Sequence, residues 1–138
     1  MIKLTDHFEL NEFINSGIAK TKGIKNIPDL KQLICLQALC TNILEPLRKK
    51  CGPVIISSGF RTKELNELVG GTPTSQHLKG QAADIHCKDK SQAWMFFEEL
   101  KKMNFDQLIW EQRGEKIWIH VSYVSKNENR RQIFEVIK

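Results

Sequence analysis

Apolar and polar positions divide the chain into stretches of different period. From Leu30 the apolar residues fall at Leu33, Ile34, Leu36, Cys40, Ile43, Leu44 and Leu47. That is one helical stripe, and it predicts a long helix over 30–49, bent near Pro46. Asn26-Ile27-Pro28-Asp29 ahead of it is a helix start signal, and Cys51-Gly52-Pro53 a stop. The period then shortens. Val54-Ile55-Ile56-Ser57 reads as a short β-branched strand. Ser58-Gly59-Phe60 turns the chain, Arg61-Thr62 opens a second helix carrying Leu65 and Leu68, and Gly70-Gly71 closes it. A strand follows at 82–86. Ser91 is placed to cap a third helix through Met103, with Trp94, Phe97 and Leu100 at core spacing. Strands at 106–110 and 116–123 flank the connection Gln112-Arg113-Gly114-Glu115, and 132–137 reads as an edge strand. Ahead of all this, 4–25 forms short amphipathic pieces that turn Phe8, Leu10 and Phe13 inward. Helices on one side of an antiparallel sheet predict an α+β domain.

Composition narrows the class without naming it. The 138 residues suit one domain spanning 1–138, with a single core and expected to be monomeric. A net charge of +5 suggests an anionic partner such as a bacterial cell wall, a nucleic acid or an acidic membrane. The basic residues are scattered in pairs, Lys49-Lys50, Lys101-Lys102 and Arg130-Arg131, with no long stripe interleaved with aromatics, which argues against nucleic acid. No apolar run is long enough to span a bilayer, and Met1-Ile-Lys-Leu-Thr-Asp-His lacks the apolar stretch of a secretory signal. Synthesis in the cytoplasm is the expectation. Cys35, Cys40, Cys51 and Cys87 lack metal-site or disulfide-framework spacing and read as free thiols, mostly buried.

The chemistry concentrates in Ser75-Gln-His-Leu-Lys-Gly-Gln-Ala-Ala-Asp84. It offers an imidazole, His77, and a carboxylate, Asp84, with Gly80, Ala82 and Ala83 small enough to allow close approach. A second imidazole, His120, stands in the apolar run Ile117-Trp118-Ile119-His120-Val121. Two imidazoles and a carboxylate are a three-ligand set for catalytic zinc, leaving one tetrahedral position open. Antiparallel strands can bring Asp84 and His120 onto one face, with His77 reaching over from the loop. His86, two residues past Asp84, shares its face but lies about 7 Å further along, and reads either as a group supporting the site or facing substrate or, more simply, as a surface residue. His7 has no partner evident in sequence.

The pattern Ser-x-His-x-x-Gly-x-Ala-x-Asp, followed by Trp-x-His, resembles the zinc D-alanyl-D-alanine carboxypeptidase family. Those peptidoglycan metallopeptidases share their fold and zinc site with vancomycin-resistance carboxypeptidases, several phage endolysins and the hedgehog signalling domain. Matched position by position, His77, Asp84 and His120 correspond to the zinc ligands. Phe105-Asp106-Gln107-Leu108-Ile109-Trp110-Glu111 resembles the strand ending in Glu that precedes the last ligand in hedgehog-like members, which makes Glu111 the candidate general base. Glu115 is its competitor. Arg61, in Ser-Ser-Gly-Phe-Arg-Thr, matches a Ser-Gly-Tyr-Arg stretch and suits a substrate carboxylate or a developing oxyanion. Ser75 and Gln81 are pocket neighbours. Trp118 stands where some relatives carry a histidine, and serves as an aromatic wall.

The resemblance implies a zinc-dependent peptidase acting on peptidoglycan stem peptides, as a D-Ala-D-Ala carboxypeptidase or an endolysin-type endopeptidase. It would act on the wall after holin-mediated release, or on cytoplasmic precursors. The alternative is a catalytically inactive zinc-binding module of the same fold, which binds cell-wall peptide or a protein partner.

Overall fold

The computed structural model describes residues 2–138. Its N-terminal part pairs β1 (Lys3–Thr5) with β2 (Phe8–Glu9) as a small hairpin, followed by α1 (Leu10–Ile14) and α2 (Gly17–Lys22). As the patterning predicts, Phe8, Leu10 and Phe13 are buried. The long helix forms in three pieces, α3 (Leu30–Leu39), a π-helical turn (Cys40–Leu44) and α4 (Glu45–Cys51). The wider turn lies immediately before Pro46, which has no N–H to return to the preceding turn, and Glu45 N–H donates instead to the Cys40 carbonyl. Asp29 caps the start, accepting from the Gln32 N–H while the Gln32 side chain accepts from the Asp29 N–H.

The remaining elements are β3 (Ile56–Ser58), α5 (Lys63–Leu68), a 3-10 turn (Gln76–Lys79), β4 (Ala82–His86), α6 (Lys90–Leu100), β5 (Gln107–Arg113), β6 (Lys116–Ser122) and β7 (Gln132–Ile137). The main sheet has the order β3-β4-β6-β5-β7. Ala83, Ile85, Leu108, Trp110, Ile119 and Val121 project from one face into a core shared with Leu36, Ile43, Leu47, Phe96 and Leu100. The α+β class is as expected. Several details differ. The edge strand β7 runs parallel to β5, so the sheet is mixed rather than wholly antiparallel. The β5–β6 turn is only Gly114-Glu115, with Arg113 opposite Lys116. Asp89, not Ser91, caps α6 by accepting from the Gln92 N–H. Trp94 is exposed, and Ala93, Phe96, Phe97 and Leu100 make the buried stripe. Of the four free thiols only Cys40 is buried, the others being half-buried. Burial holds Cys40 protonated and pushes the Cys87 thiol up to about 11.

The parallel register of β7 originates at one side chain. Asp106 is fully buried and accepts from the Arg130 backbone N–H at 2.9 Å, from Arg130 Nε at 3.0 Å and from the far guanidinium nitrogen at 2.7 Å. The Asp106 carbonyl then receives the Gln132 N–H at 2.9 Å, so β7 starts beside the start of β5.

Gly80 explains the glycine of the motif. It ends the 3-10 turn with φ +72°, and a Cβ there would lie 2.4 Å from the Gln32 carbonyl oxygen of α3. Gly80→Ala therefore combines backbone strain with a clash against helix backbone. It should lower stability by about 2 kcal/mol or more, read as a shift in the urea unfolding midpoint. Gly114→Ala, also at positive φ but with nothing within 4 Å, should cost distinctly less.

Candidate metal centre and active site

Strand register assembles the first two donors. Asp84 on β4 stands directly opposite His120 on β6, and His120 stands opposite Ile109 on β5. Because side chains alternate along strands, the neighbouring row on this face is His86, Trp118 and Glu111. The opposite face is the apolar core, so the polar residues of both rows face outward.

The third donor comes from the loop and is buried. His77 Nδ1–H donates to the Gly59 carbonyl at 2.6 Å, which turns Nε2 toward the sheet. Nε2 lies 3.4 Å from Asp84 Oδ1, and His120 Nδ1 lies 2.9 Å from the same oxygen. One donor atom from each of the three residues falls within 4.8 Å of the others. Tetrahedral zinc with bonds near 2.0–2.1 Å separates its ligand atoms by about 3.4 Å. The donor set and its spacing fit that ion, with the His77 tautomer already set by its carbonyl partner. Burial alone would raise the Asp84 carboxyl, but the facing His77 and the hydrogen bond from His120 hold it well below the usual carboxylate range.

Backbone contacts make the loop rigid. The Arg61 N–H donates to the His77 carbonyl at 3.1 Å, and the Gln32 amide donates to the Leu78 carbonyl at 3.1 Å. Buried Asn26 donates to the Ile14 and Phe60 carbonyls and accepts from the Thr62 N–H. Gly59 packs so closely on Phe13 that a Cβ would lie 2.7 Å from its Cα. Gln76, next to His77, donates to Asp106 at 2.9 Å and so ties the motif loop to the Asp106–Arg130 pair. Sequence reading missed Asn26, Gln32, Asp106 and Arg130. Only the Asp29/Gln32 cap had a local signature, because the other partners are far apart in the chain.

A cleft of about 730 Å³ opens over the three donors, and its walls include Arg61, Ser75, Glu111, Trp118 and Arg130. Arg61 is half-buried, and its Nε has no hydrogen-bond partner among the described residues. Burial lowers the guanidinium's proton affinity against the opposing pull of Asp84 and Glu111, so both carboxylates lie within its field. A guanidinium on the cleft wall suits an incoming carboxylate or oxyanion. Glu111 accepts at 3.0 Å from the Trp118 indole N–H, the two being cross-strand neighbours. Glu115 is exposed in the hairpin turn and lies outside this cleft. Gln81 lies beside the motif loop, its side-chain oxygen 3.4 Å from the Gln76 amide. His86 is exposed, and His7, without an evident partner in sequence, donates through Nδ1 to Glu45 at 2.7 Å.

A mixed sheet that holds His-Asp-His donors at the floor of a polar cleft forms a group that could hold a metal ion. The chain belongs to the peptidase M15 family, whose profile matches residues 6–131, a family of zinc-dependent D-Ala-D-Ala carboxypeptidase-type enzymes. No curated protein matches the chain. No helix among the described residues is long and apolar enough to cross a membrane.

Two measurements test this architecture. Purified protein should take up one equivalent of zinc, and His120→Ala should lose most of it while keeping its circular dichroism spectrum; equal zinc content in both would refute the ligand set. The Asp106 carboxyl is held below its ordinary range, first by the Arg130 hydrogen bonds. Its folded pKa is depressed, so its contribution is present above about pH 4, the unfolded value, and fades as pH falls through the folded pKa. Asp106→Asn should therefore be less stable than wild type by about 1–3 kcal/mol at pH 7. That gap should narrow below pH 4 in denaturant titrations across pH.

Proposed function

We propose that the protein is a zinc metallopeptidase that hydrolyses peptidoglycan stem peptides, as a D-Ala-D-Ala carboxypeptidase or an endolysin-type endopeptidase. The observation that carries this reading is the single cleft that holds the His77-Asp84-His120 donors together with an unpartnered guanidinium, Arg61, and a carboxylate, Glu111. His77, Asp84 and His120 would hold the metal. Zinc, when bound, supplies Lewis acidity, polarising a carbonyl and making water a better nucleophile near neutral pH. Glu111 takes the proton of the attacking water and hands it to the leaving amine. The Trp118 indole holds one oxygen of that carboxylate and leaves the other free. Arg61 receives a substrate carboxylate or the developing oxyanion through its planar fork, and Ser75 offers a hydroxyl at the cleft wall. The partner is a wall peptide, met after release from the cell or as a cytoplasmic precursor, and the protein works as a monomer.

Muropeptides incubated with zinc-loaded protein and analysed by mass test the reading directly; unchanged substrate refutes it. Replacing Glu111 with Gln keeps the shape and removes the basicity, so turnover should fall about 10²–10⁴-fold with zinc content unchanged. Glu115→Gln should be nearly silent. A Glu111→Gln enzyme with full activity would remove Glu111 from the proton transfer, and a dead Glu115→Gln enzyme would move that role to the turn. Arg61→Lys should also lose activity without losing zinc, because an ammonium cannot reproduce the guanidinium fork. Wild-type turnover of a D-Ala-D-Ala peptide by that variant would make Arg61 merely structural.

A further inference from the structure

The fold splits the basic pair Arg130-Arg131. Arg131, at positive φ (55°), turns over the Phe105 ring and donates to the Lys101 carbonyl at 3.0 Å. Arg130 is delivered instead to the wall of the 730 Å³ cleft. Asp106 fixes it there, one oxygen accepting from Nε and the backbone N–H, the other from Nη2. Asp106 is fully buried while about half of the Arg130 side chain is exposed, so the pair presents its cationic end outward.

A guanidinium has more than one edge on which a carboxylate can form paired hydrogen bonds. Asp106 occupies the edge made by Nε and Nη2, and Nη1 has no partner among the described residues. The edge made by Nη1 and Nη2 is therefore left open and pointing away from Asp106. Anchoring has already removed much of the rotamer freedom that a loose arginine would lose on meeting an anion.

Position along the sheet sets how far that anion lies from the chemistry. His120 stands opposite Ile109, and from this row Glu111 lies two residues along β5 in one direction and Asp106 three residues in the other. Three residues of strand span about 10 Å. Arg61 stands at the donor group itself, its N–H bonded to the His77 carbonyl. The two guanidinium groups of the cleft wall thus serve different places. An extended peptide covers about 10 Å in roughly three residues.

We propose that Arg130 is a second anion contact in the cleft, which reads a carboxylate side chain about two to three residues from the reacting carbonyl and makes the site prefer peptides that carry one. The inference rests on the peptidase reading above and deepens it. It holds for either direction of the bound chain, and no bond is made or broken at Arg130. Because Asp106 fixes Arg130 whether or not an anion arrives, stability alone cannot reveal the contact, and discrimination between peptides can.

The test uses peptides built around a central D-Ala-D-Ala pair, with Glu three residues before it or three after it, each matched by a Gln control. Binding to zinc-loaded Glu111→Gln is measured by calorimetry, so no turnover is needed. In at least one placement the Glu peptide should bind about fivefold tighter or more. Arg130→Gln in that background should bring the matched peptides within twofold of each other and leave the Gln peptide within twofold of its earlier affinity. No preference for Glu in either placement, a preference that survives in Arg130→Gln, or no binding of any peptide overturns the proposal. Equal losses for both peptides would make Arg130 only a structural partner of Asp106, and overturn it too. Arg130→Gln leaves Asp106 buried without its cation, so zinc content and circular dichroism are checked. If the fold is lost, Arg130→Lys takes its place, keeping a cation for Asp106 without a second planar edge, and should likewise bring the peptides within twofold. If wild type cuts none of the peptides, the peptidase reading fails by itself, and calorimetry still decides whether Arg130 meets an anion.

Discussion

The opposition of Asp84 and His120 across β4 and β6 is the constraint on which the rest of the molecule depends. A slip of one residue would turn both into the core and carry Ile85 and Ile119 out to solvent. The apolar residues of the opposite face prevent it. Ala83, Ile85, Ile119 and Val121 are fully buried, and their period of two binds the hydrophobic face to the chemical one. Core packing and metal-site geometry are thus one constraint, expressed on the two sides of the same strands.

What the strands cannot supply comes from the loop, and there hydrogen bonds replace apolar burial. His77 is held by the Gly59 carbonyl, Leu78 by the Gln32 amide, and the turn that carries Gly59 and Arg61 by Asn26. These are mostly backbone groups buried away from water, each costly to leave unpaired. The close contacts at Gly59 and Gly80 allow the loop to approach α1 and α3 so tightly. Asp106 plays the same part at the other end of the cleft, joining Gln76 beside the donor loop to Arg130 before β7. The donors are therefore held from three directions before any ligand arrives, the preorganisation that a metal site needs.

Electrostatics follows from that placement. A carboxylate as enclosed as Asp84 is tolerable only beside positive charge or strong donors, and two imidazoles stand against it. Glu111 lies a row further along, exposed enough to the cleft to meet a substrate, with one oxygen engaged by Trp118. One face of the sheet thus carries two carboxylates in different surroundings, one enclosed among donors and one facing the cleft.

Much of this was legible in the residues. The alternation through β4 and β6 and the Ser-x-His-x-x-Gly-x-Ala-x-Asp spacing determined which side chains could meet, because a period of two leaves little freedom once one face is buried. The helical stripe from Leu33 to Leu47 and the Asp29 cap were local signals of the same kind, although Leu30 and Ile34, read with that stripe, are exposed. Trp94 misled because an aromatic at helical spacing looks like core until the sheet decides which side of α6 is covered. Other features were decided only by the tertiary structure. The parallel β7, the Asp106–Arg130 pair, the Asn26 clamp and the His7–Glu45 pair join residues that are 24 to 38 positions apart, apart from one Asn26 contact. Local patterning acts through neighbours three or four residues away on a helix, or two along a strand. A buried hydrogen bond between distant segments has no period to announce it, and its partners are chosen when the chain packs.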